Sequence, residues 1–236
     1  MHLVMFDIDG TLTETMQVDA DCFVRSFKEV FGVAEIDTNW SHYPHCTDSG
    51  IFHHIFTSRI GRAPTEPDVL LFRQHLVRLL TAASLQSTFA PIKGANQILL
   101  HLSNSDSHRV CLATGAWSDS ARIKMASAGM CFDDFPSASA DDAFDRESIM
   151  RLSIQRATER YAGPFSSTIY VGDAIWDARA CRALSVPFIG IGSGERARRL
   201  ASEGAVRVFQ DFSEPDLFLE CLDEIASTAN LSGKSS

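Results

Sequence analysis

Short runs of apolar residues, each typical of a buried β-strand, recur along the chain and are followed by amphipathic segments with the period of an α-helix. The strand-like runs lie at 3–6, 109–114, 168–172, 186–191 and 205–209. The helical patterns lie at 96–102, 118–128, 146–161, 176–184 and 195–203. Strands that alternate with helices favour an open parallel sheet with right-handed crossover connections. We therefore predict an α/β fold whose core is a Rossmann-like open parallel sheet.

Between the first two strand-like runs the pattern changes. Residues 15–89 show no strand pattern, and their apolar residues recur at helical spacing, for example at Phe23 and Phe27. A mostly helical segment therefore interrupts the sheet after its first strand. We predict two domains, with an α/β core formed by residues 1–14 and 90–236 and an inserted α-helical domain formed by residues 15–89.

The charge of the chain limits the partners that it can bind. It has 21 basic and 30 acidic residues among 236, which gives a formal net charge of −9. An acidic protein needs a local basic patch to bind nucleic acid, and the densest basic run, Arg196, Arg198 and Arg199, has the spacing of one solvated helical turn. No apolar run approaches the roughly 18 residues of a membrane-spanning helix. We therefore expect no nucleic-acid partner and no membrane partner.

The six cysteines lie far apart, without a C-x-x-C pair and without the spacing of a zinc site. Such residues are typical of free, mostly buried thiols in a reducing compartment. The first apolar run is interrupted at Asp7, so it is too short for a secretory signal peptide. These features predict a cytoplasmic protein, which we expect to be a monomer or a small homo-oligomer.

Four polar residues lie at the ends of three predicted strands. Asp7 and Asp9 follow the first run, and Thr114 and Asp173 stand at the ends of two later runs. In an open parallel sheet, ligands bind beyond the carboxyl ends of the strands. We therefore expect these four residues to contribute to one polar site along that edge of the sheet.

The first two of these residues are spaced for cation binding. Asp7 and Asp9 are two residues apart, so in an extended chain their side chains share one face at a separation of about 6–7 Å. Converging carboxylates repel each other and favour a cation between or beside them. Gly10 allows a sharp turn, and Thr11 offers a hydroxyl and an N–H to an anion. This segment therefore predicts a site for a cation together with an anionic ligand.

Three segments resemble the motifs of a known family. The stretch D-I-D-G-T-L-T-E-T at 7–15 resembles the first motif of the haloacid dehalogenase superfamily. The stretch V-C-L-A-T-G at 110–115 is similar to its second motif, and G-D-A-I-W-D at 172–177 is similar to its fourth. The order and spacing agree over nearly the whole chain. The resemblance implies that the helical segment 15–89 is the α-helical cap domain of that family.

The resemblance also implies roles for the acidic residues. Asp7 would be the nucleophile that forms an aspartyl-phosphate, and Asp9 would act first as general acid and then as general base. The cofactor would be Mg²⁺, held by the carboxylates of Asp7 and Asp173 and by the backbone carbonyl of Asp9. Asp177 would belong to the same metal site, where we expect it to orient metal-bound water.

Other residues are expected to contact the substrate. Thr11, Thr114 and the N–H of Gly115 would hold phosphoryl oxygens. Related capped phosphatases often carry a Thr-Asp pair in the cap, and Thr47 and Asp48 match it. This pair is also an ordinary helix N-cap sequence. The two interpretations, helix cap and substrate contact, are compatible.

The third motif departs from the family pattern. The family commonly has a Lys at the start of the helix before the fourth motif, and here Arg146 stands at that place. An Arg can neutralise the nucleophile and the phosphate, although its planar fork differs from an ammonium group. Lys124 is the alternative cation, but a Lys in the middle of the preceding helix is typically solvated. A third possibility is that neither residue serves.

Together these features favour a Mg²⁺-dependent phosphatase that hydrolyses a small phosphorylated metabolite through an aspartyl-phosphate. A phosphomutase of the same superfamily is the first alternative, because it uses the same intermediate and differs in what attacks it. A ligand-binding relative without catalytic activity is the second, and its only support is the missing Lys of the third motif.

Overall fold

A computed structural model describes residues 1–232 of the protein, and it confirms the predicted α/β fold. Its strands are β1 His2–Phe6, β2 His108–Ala113, β3 Ser137–Ala138, β4 Ser167–Gly172, β5 Phe188–Ile191 and β6 Arg207–Phe209. They form one sheet in the order β3-β2-β1-β4-β5-β6, and every neighbouring pair is parallel. The central strand β1 is therefore covered by a neighbour on each side, and its residues from Leu3 to Phe6 are completely buried.

Nine α-helices of the described residues surround or extend this sheet. They are α1 Met16–Phe31, α2 Asp48–Ile60, α3 Glu66–Gln86, α4 Ala95–Ser103, α5 Ser118–Ser127, α6 Arg146–Arg160, α7 Ile175–Leu184, α8 Gly194–Ser202 and α9 Pro215–Ser232. Side chains alternate between the two faces of a strand. Val4 and Phe6 of β1 pack with α4, α5 and α9, whereas Leu3 and Met5 pack with α6, α7 and α8.

The helices α1, α2 and α3 have a separate apolar core. Phe72 of α3 is completely buried, and its ring centroid lies 4.6 Å from that of Phe27 and 4.8 Å from that of Phe52. Trp117, which precedes α5, is buried in the same core, 5.9 Å from Phe72. The three helices therefore pack on the sheet-bearing part of the chain through an aromatic side chain that this part supplies. The division of the chain at residues 15 and 89 stays a prediction.

The structure differs from the sequence-based expectations in four elements, one of which is β6, which begins at Arg207 and not at Ala205. Strand β3 was not predicted, because a two-residue edge strand is too short to show a pattern. Helix α9 was also missed, although Phe218, Leu222 and Ile225 are buried at helical spacing. Strand β5 begins two residues later than predicted, because the N–H of Val186 is bonded to Cys181 at the end of α7 and Pro187 has no N–H.

The cysteine and membrane expectations can be compared with the same structure. All six cysteines are free and four of them are buried, as the spacing predicted. Among residues 1–232, no helix combines the length and the apolar composition needed to cross a membrane.

We expect Phe72→Ala to reduce the free energy of unfolding by about 3–5 kcal/mol, because it leaves a cavity among rigid aromatic rings. The neighbouring Leu71 is 52% exposed, so Leu71→Ala is the matched control and should change stability by only about 0.5 kcal/mol. Chemical denaturation followed by circular dichroism measures both variants. If Phe72→Ala lost as little stability as Leu71→Ala is expected to lose, the prediction would be contradicted.

Candidate active site

The register of the sheet places three of the predicted residues side by side. Phe6 is opposite Leu112 on β2 and Val171 on β4, so the carboxyl ends of the three strands lie level. Asp7 therefore lies near Thr114 and Asp173, which follow the ends of those neighbouring strands. The chain proceeds from β1 towards β3 on one side and from β4 towards β6 on the other, so a topological switch point lies between β1 and β4. Ligands bind at such points in open α/β sheets.

Three buried carboxyl groups meet at this switch point. One carboxylate oxygen from each of Asp7, Asp173 and Asp177 lies within 4.8 Å of the other two. Burial raises the pKa of Asp7 to about 7, against the opposing charge of Arg146 and with additional repulsion from Asp177. Burial and the charges of Asp7 and Asp177 also raise the pKa of Asp173 well above its usual value. Hard oxygen donors whose charges are this poorly compensated fit a divalent cation such as Mg²⁺.

The turn after β1 brings the backbone close to these carboxyl groups. Gly10 has a φ of +77°, which is in the left-handed region that favours glycine. A Cβ at this position would collide with the carboxylate of Asp173. Thr11, the next residue, is completely buried, and its hydroxyl has no hydrogen-bond partner among the described residues. An unpaired buried hydroxyl is costly, but Thr11 is not among the residues that line the cleft described below.

Arg146 lies at the first position of α6 and is directed into the site. Its Nη1 donates to Oδ1 of Asp7 at 3.2 Å, and its Nε lies 3.2 Å from Oδ1 of Asp177 as an ion pair without hydrogen-bond geometry. Although burial alone would lower the pKa of this guanidinium, the charges of Asp177 and Asp7 raise it well above its usual value. A Cβ at Gly115 would lie 3.2 Å from Nη2, so the glycine lets the backbone approach the guanidinium closely.

Asp177 is held by other protein groups. Its Oδ2 accepts a hydrogen bond from the N–H of Ala174 at the start of α7, and its Oδ1 accepts one from the Tyr170 hydroxyl at 3.3 Å. Burial raises the pKa of Asp177, with the charge of Arg146 opposing this effect. Because both oxygens already have protein partners, the carboxylate is best placed to orient Arg146 and to cap α7.

Asp9 has a different set of partners. Its Oδ1 accepts a hydrogen bond from the Thr15 hydroxyl at 2.5 Å, and its Oδ2 accepts one from Nζ of Lys124 at 2.6 Å. The expectation that Lys124 is solvated was wrong, because this side chain is completely buried. Its second partner is Oδ1 of Asp19 on α1, at 2.8 Å. Helix periodicity alone could not show that α5 directs its Lys towards the site.

Thr114 and the Thr47–Asp48 pair lie at the same edge. Thr114 is buried, and its Oγ1 accepts a hydrogen bond from the N–H of Ala116. Thr47 caps α2 by accepting from the N–H of Gly50, and its hydroxyl donates to the carbonyl of Phe144. Thr47 is therefore a helix cap, as one of the two interpretations predicted, and its hydroxyl is already engaged.

Asp48 connects α2 to the segment that carries Thr114. Its N–H donates to the carbonyl of Gly115 at 2.7 Å, and its Oδ2 accepts from the N–H of Trp117 at 2.9 Å. Burial and the charge of Asp19 raise the pKa of Asp48 to about 8. This carboxyl group therefore both ties the helices α1–α3 to the sheet and faces the space above it.

A cleft encloses these groups. It contains about 650 Å³ of empty space when its open mouth is included. The sheet side supplies Asp7, Asp9, Thr114 and Arg146. The opposite side is formed mainly by residues between 16 and 51, among them Met16, Asp19, Phe23, Trp40, Thr47 and Asp48. The cleft is therefore walled by both parts of the chain.

One further cation reaches the site from a segment that sequence analysis did not assign to it. Arg196 of α8 keeps 44% of its side-chain surface exposed, as expected for a solvated helical turn, and its Nη1 also donates to Oδ2 of Asp173 at 3.1 Å. Arg198 and Arg199 instead pair on the surface with Glu195. The three arginines have different partners because neighbouring positions on a helix point in different directions.

Comparison with known proteins bears on the family and the fold. A family model described as haloacid dehalogenase-like hydrolase matches residues 1–184. No curated protein matches the sequence. Among solved structures, the fold is similar to that of a hydrolase from Pseudomonas syringae, with a TM-score of 0.71 and 20% identity over 94% of this chain and 98% of that one.

Two further structures share the fold. CbbY from Rhodobacter sphaeroides, crystallised in complex with phosphate, has a TM-score of 0.68 and 17% identity over 90% of this chain and 95% of that one. A family IA haloacid dehalogenase hydrolase from Entamoeba histolytica has a TM-score of 0.67 and 18% identity over 91% and 95% of the two chains. At these identities the similarity shows the fold alone.

The raised pKa of Asp7 predicts a pH dependence of stability in the presence of a chelator. The folded protein keeps this proton up to about pH 7, whereas the unfolded chain loses it near pH 3.8. The stabilisation is therefore complete below about pH 4 and is lost as the pH rises through about 7. We expect the thermal midpoint of the wild type to fall relative to that of Asp7→Asn, whose amide does not titrate, between about pH 5 and pH 8. A constant difference between the two midpoints would contradict this assignment.

Proposed function

The chain belongs to the haloacid dehalogenase-like hydrolases, and from this membership we propose that it is a Mg²⁺-dependent phosphatase acting on a small phosphorylated metabolite. The observation that carries the proposal is the buried meeting of Asp7 and Asp173 beside Asp9, with the guanidinium of Arg146 on Asp7. This arrangement combines a nucleophile, a cation site and a general acid and base. The phosphate bound to the fold neighbour CbbY supports a phosphorylated ligand here as well.

The donor set fits Mg²⁺. The carboxylates of Asp7 and Asp173, together with the backbone carbonyl of Asp9, would hold the ion with hard oxygen ligands. When bound, Mg²⁺ would neutralise charge on the phosphoryl group. Asp177 would contribute from behind, by orienting Arg146.

The chemistry assigned to the side chains proceeds in two steps. A carboxylate oxygen of Asp7 attacks phosphorus, the bond to the leaving oxygen breaks, and Asp9 gives that oxygen its proton. Asp9 then takes a proton from water, which attacks the aspartyl-phosphate and releases inorganic phosphate with Asp7 restored. Arg146 stabilises the negative charge that spreads over the phosphoryl oxygens in both steps.

The phosphoryl oxygens are assigned to the turns after β1 and β2. The Thr11 hydroxyl, which has no hydrogen-bond partner among the described residues, would have to turn into the cleft to donate to one oxygen. The Thr114 hydroxyl and the N–H of Gly115 donate to another. These donors lie on turns that directly follow strands of the sheet. Because they are held in place before the reaction, they can stabilise the charge that develops in the transition state.

The helical segment 15–89 acts in this proposal as the cap over the substrate. Its residues wall the cleft opposite the carboxyl groups, and Asp48 faces the space from that side. A closed cap also keeps bulk water away from the aspartyl-phosphate.

The proposal predicts phosphate release from at least one member of a panel of phosphorylated metabolites. Release should require Mg²⁺, should stop when a chelator is added, and should be abolished in Asp7→Asn, because the amide is not a nucleophile. A colorimetric phosphate assay measures it, and circular dichroism shows that the variant is folded. Folded wild-type protein that releases no phosphate would favour the phosphomutase or the ligand-binding alternative.

Arg146→Ala should lower kcat about 100- to 1000-fold, because it removes the charge that stabilises the transferred phosphoryl group. Arg146→Lys should restore part of the activity, because the charge returns but only one of its two carboxylate contacts can be made. The control is Arg151→Ala, an exposed position on the same helix. Unaltered kinetics in Arg146→Ala would remove this residue from the site.

A further inference from the structure

A buried ammonium group lies behind the site. Nζ of Lys124 is 2.6 Å from Oδ2 of Asp9 and 2.8 Å from Oδ1 of Asp19, and its side chain is completely buried. Removing a charge from water costs several kcal/mol, so a buried Lys is stable only with partners of opposite charge. Although burial would lower the pKa of this ammonium, the charges of Asp19, Asp9 and Asp48 raise it well above its usual value. Lys124 is therefore a permanently charged group between these carboxylates.

Lys124 also completes the support of one particular carboxylate. Asp9 is held on Oδ1 by the Thr15 hydroxyl and on Oδ2 by Lys124. The Thr15 hydroxyl is itself held in place, because it lies 2.6 Å from the hydroxyl of Thr13. The side chain of Asp9 nevertheless keeps 22% of its surface exposed, and it lines the cleft. The carboxylate of Asp9 is thus held by a protein donor on each oxygen, while its side chain still borders the space for a ligand.

This arrangement suits a group that must transfer a proton at a defined place. A general acid or base must lie about 2.6–3.2 Å from the atom that it serves, and small displacements reduce the rate strongly. Lys124 does not hold the proposed nucleophile, because its two hydrogen bonds go to the side chains of Asp9 and Asp19 and neither goes to Asp7 or Asp173. Its contacts therefore connect it to the leaving-group side of the reaction.

We propose that Lys124 is a positioning residue that holds the carboxylate of Asp9 towards the leaving oxygen, with Asp19 of α1 as its second anchor. The inference rests on the proposed function, in which Asp9 protonates that oxygen. Lys124 acts through Asp9 and does not touch the phosphoryl group. The loss of Lys124 should therefore harm reactions that need a protonated leaving group more than reactions that do not.

The experiment compares two probes. The leaving group of 4-nitrophenyl phosphate needs little protonation, whereas that of phenyl phosphate needs substantial protonation. The measured quantity is kcat/KM, which reports the transfer to Asp7 and excludes the later hydrolysis common to both probes. Lys124→Met should lower kcat/KM for phenyl phosphate about 10- to 100-fold, part of the contribution of a general acid, and should leave the value for 4-nitrophenyl phosphate within about threefold. Arg122→Met, on the exposed side of the same helix, is the matched control and should change neither.

Two further variants separate positioning from a structural effect. Lys124→Met together with Asp19→Asn removes one buried charge of each sign, so it protects the fold and should show the same selective loss. Asp9→Asn should show a larger selective loss, to which Lys124→Met adds nothing further when the two are combined. Equal losses for both probes, or additive losses in the Asp9→Asn background, would overturn the inference.

The same assay separates the inference from the function on which it rests. Wild-type protein that releases phosphate from neither probe, and from no member of the metabolite panel, would overturn the proposed function and the inference with it. Wild-type activity on both probes with an unchanged ratio in folded Lys124→Met would overturn the inference alone.

Discussion

The compensation of buried negative charge is the constraint on which the site depends. Asp7, Asp173 and Asp177 are brought together at the switch point of a parallel sheet, where burial opposes their ionisation. Arg146 reaches this cluster from α6 and Arg196 reaches it from α8. Cations from separate helices are therefore directed to one edge of the sheet, and the acids still carry more charge than these two balance. A divalent ion would favour the ionised form of these acids.

A second charge cluster lies next to the first and is compensated differently. Asp9, Asp19 and Asp48 are arranged around a single ammonium group that is sealed from water. The first cluster consists of carboxyl groups that lie within 4.8 Å of one another, whereas the acids of the second each accept a hydrogen bond from a protein donor. Asp7 and Asp9 are separated in the chain only by Ile8, yet their carboxylates have different partners.

Sequence patterns predicted the parts of the site that depend on strand ends. Asp7, Thr114 and Asp173 could be placed because parallel strands present their carboxyl ends at one edge. Arg146 could be placed because it opens a helix at the expected point of the chain. The roles of Lys124 and Arg196 could not be predicted, because each depends on the direction in which a helix is rotated against the sheet. Charged residues on amphipathic helices are usually solvated, so their pattern did not distinguish these two.

The contacts of Trp117 have a consequence for how proteins of this shape can change. Its ring completes the apolar core of the helical segment, and its backbone N–H is bonded to Asp48, while the carbonyl of Gly115 accepts from the N–H of that same residue. The turn that carries Thr114 is thus built jointly by the two parts of the chain. A chimera that exchanged residues 15–89 for those of a homologue would lose the bond to the N–H of Trp117 unless the new segment also placed an Asp at the position of Asp48. The helical segment and the turn after β2 are therefore coupled, and a change on one side of the cleft has to be compatible with the other.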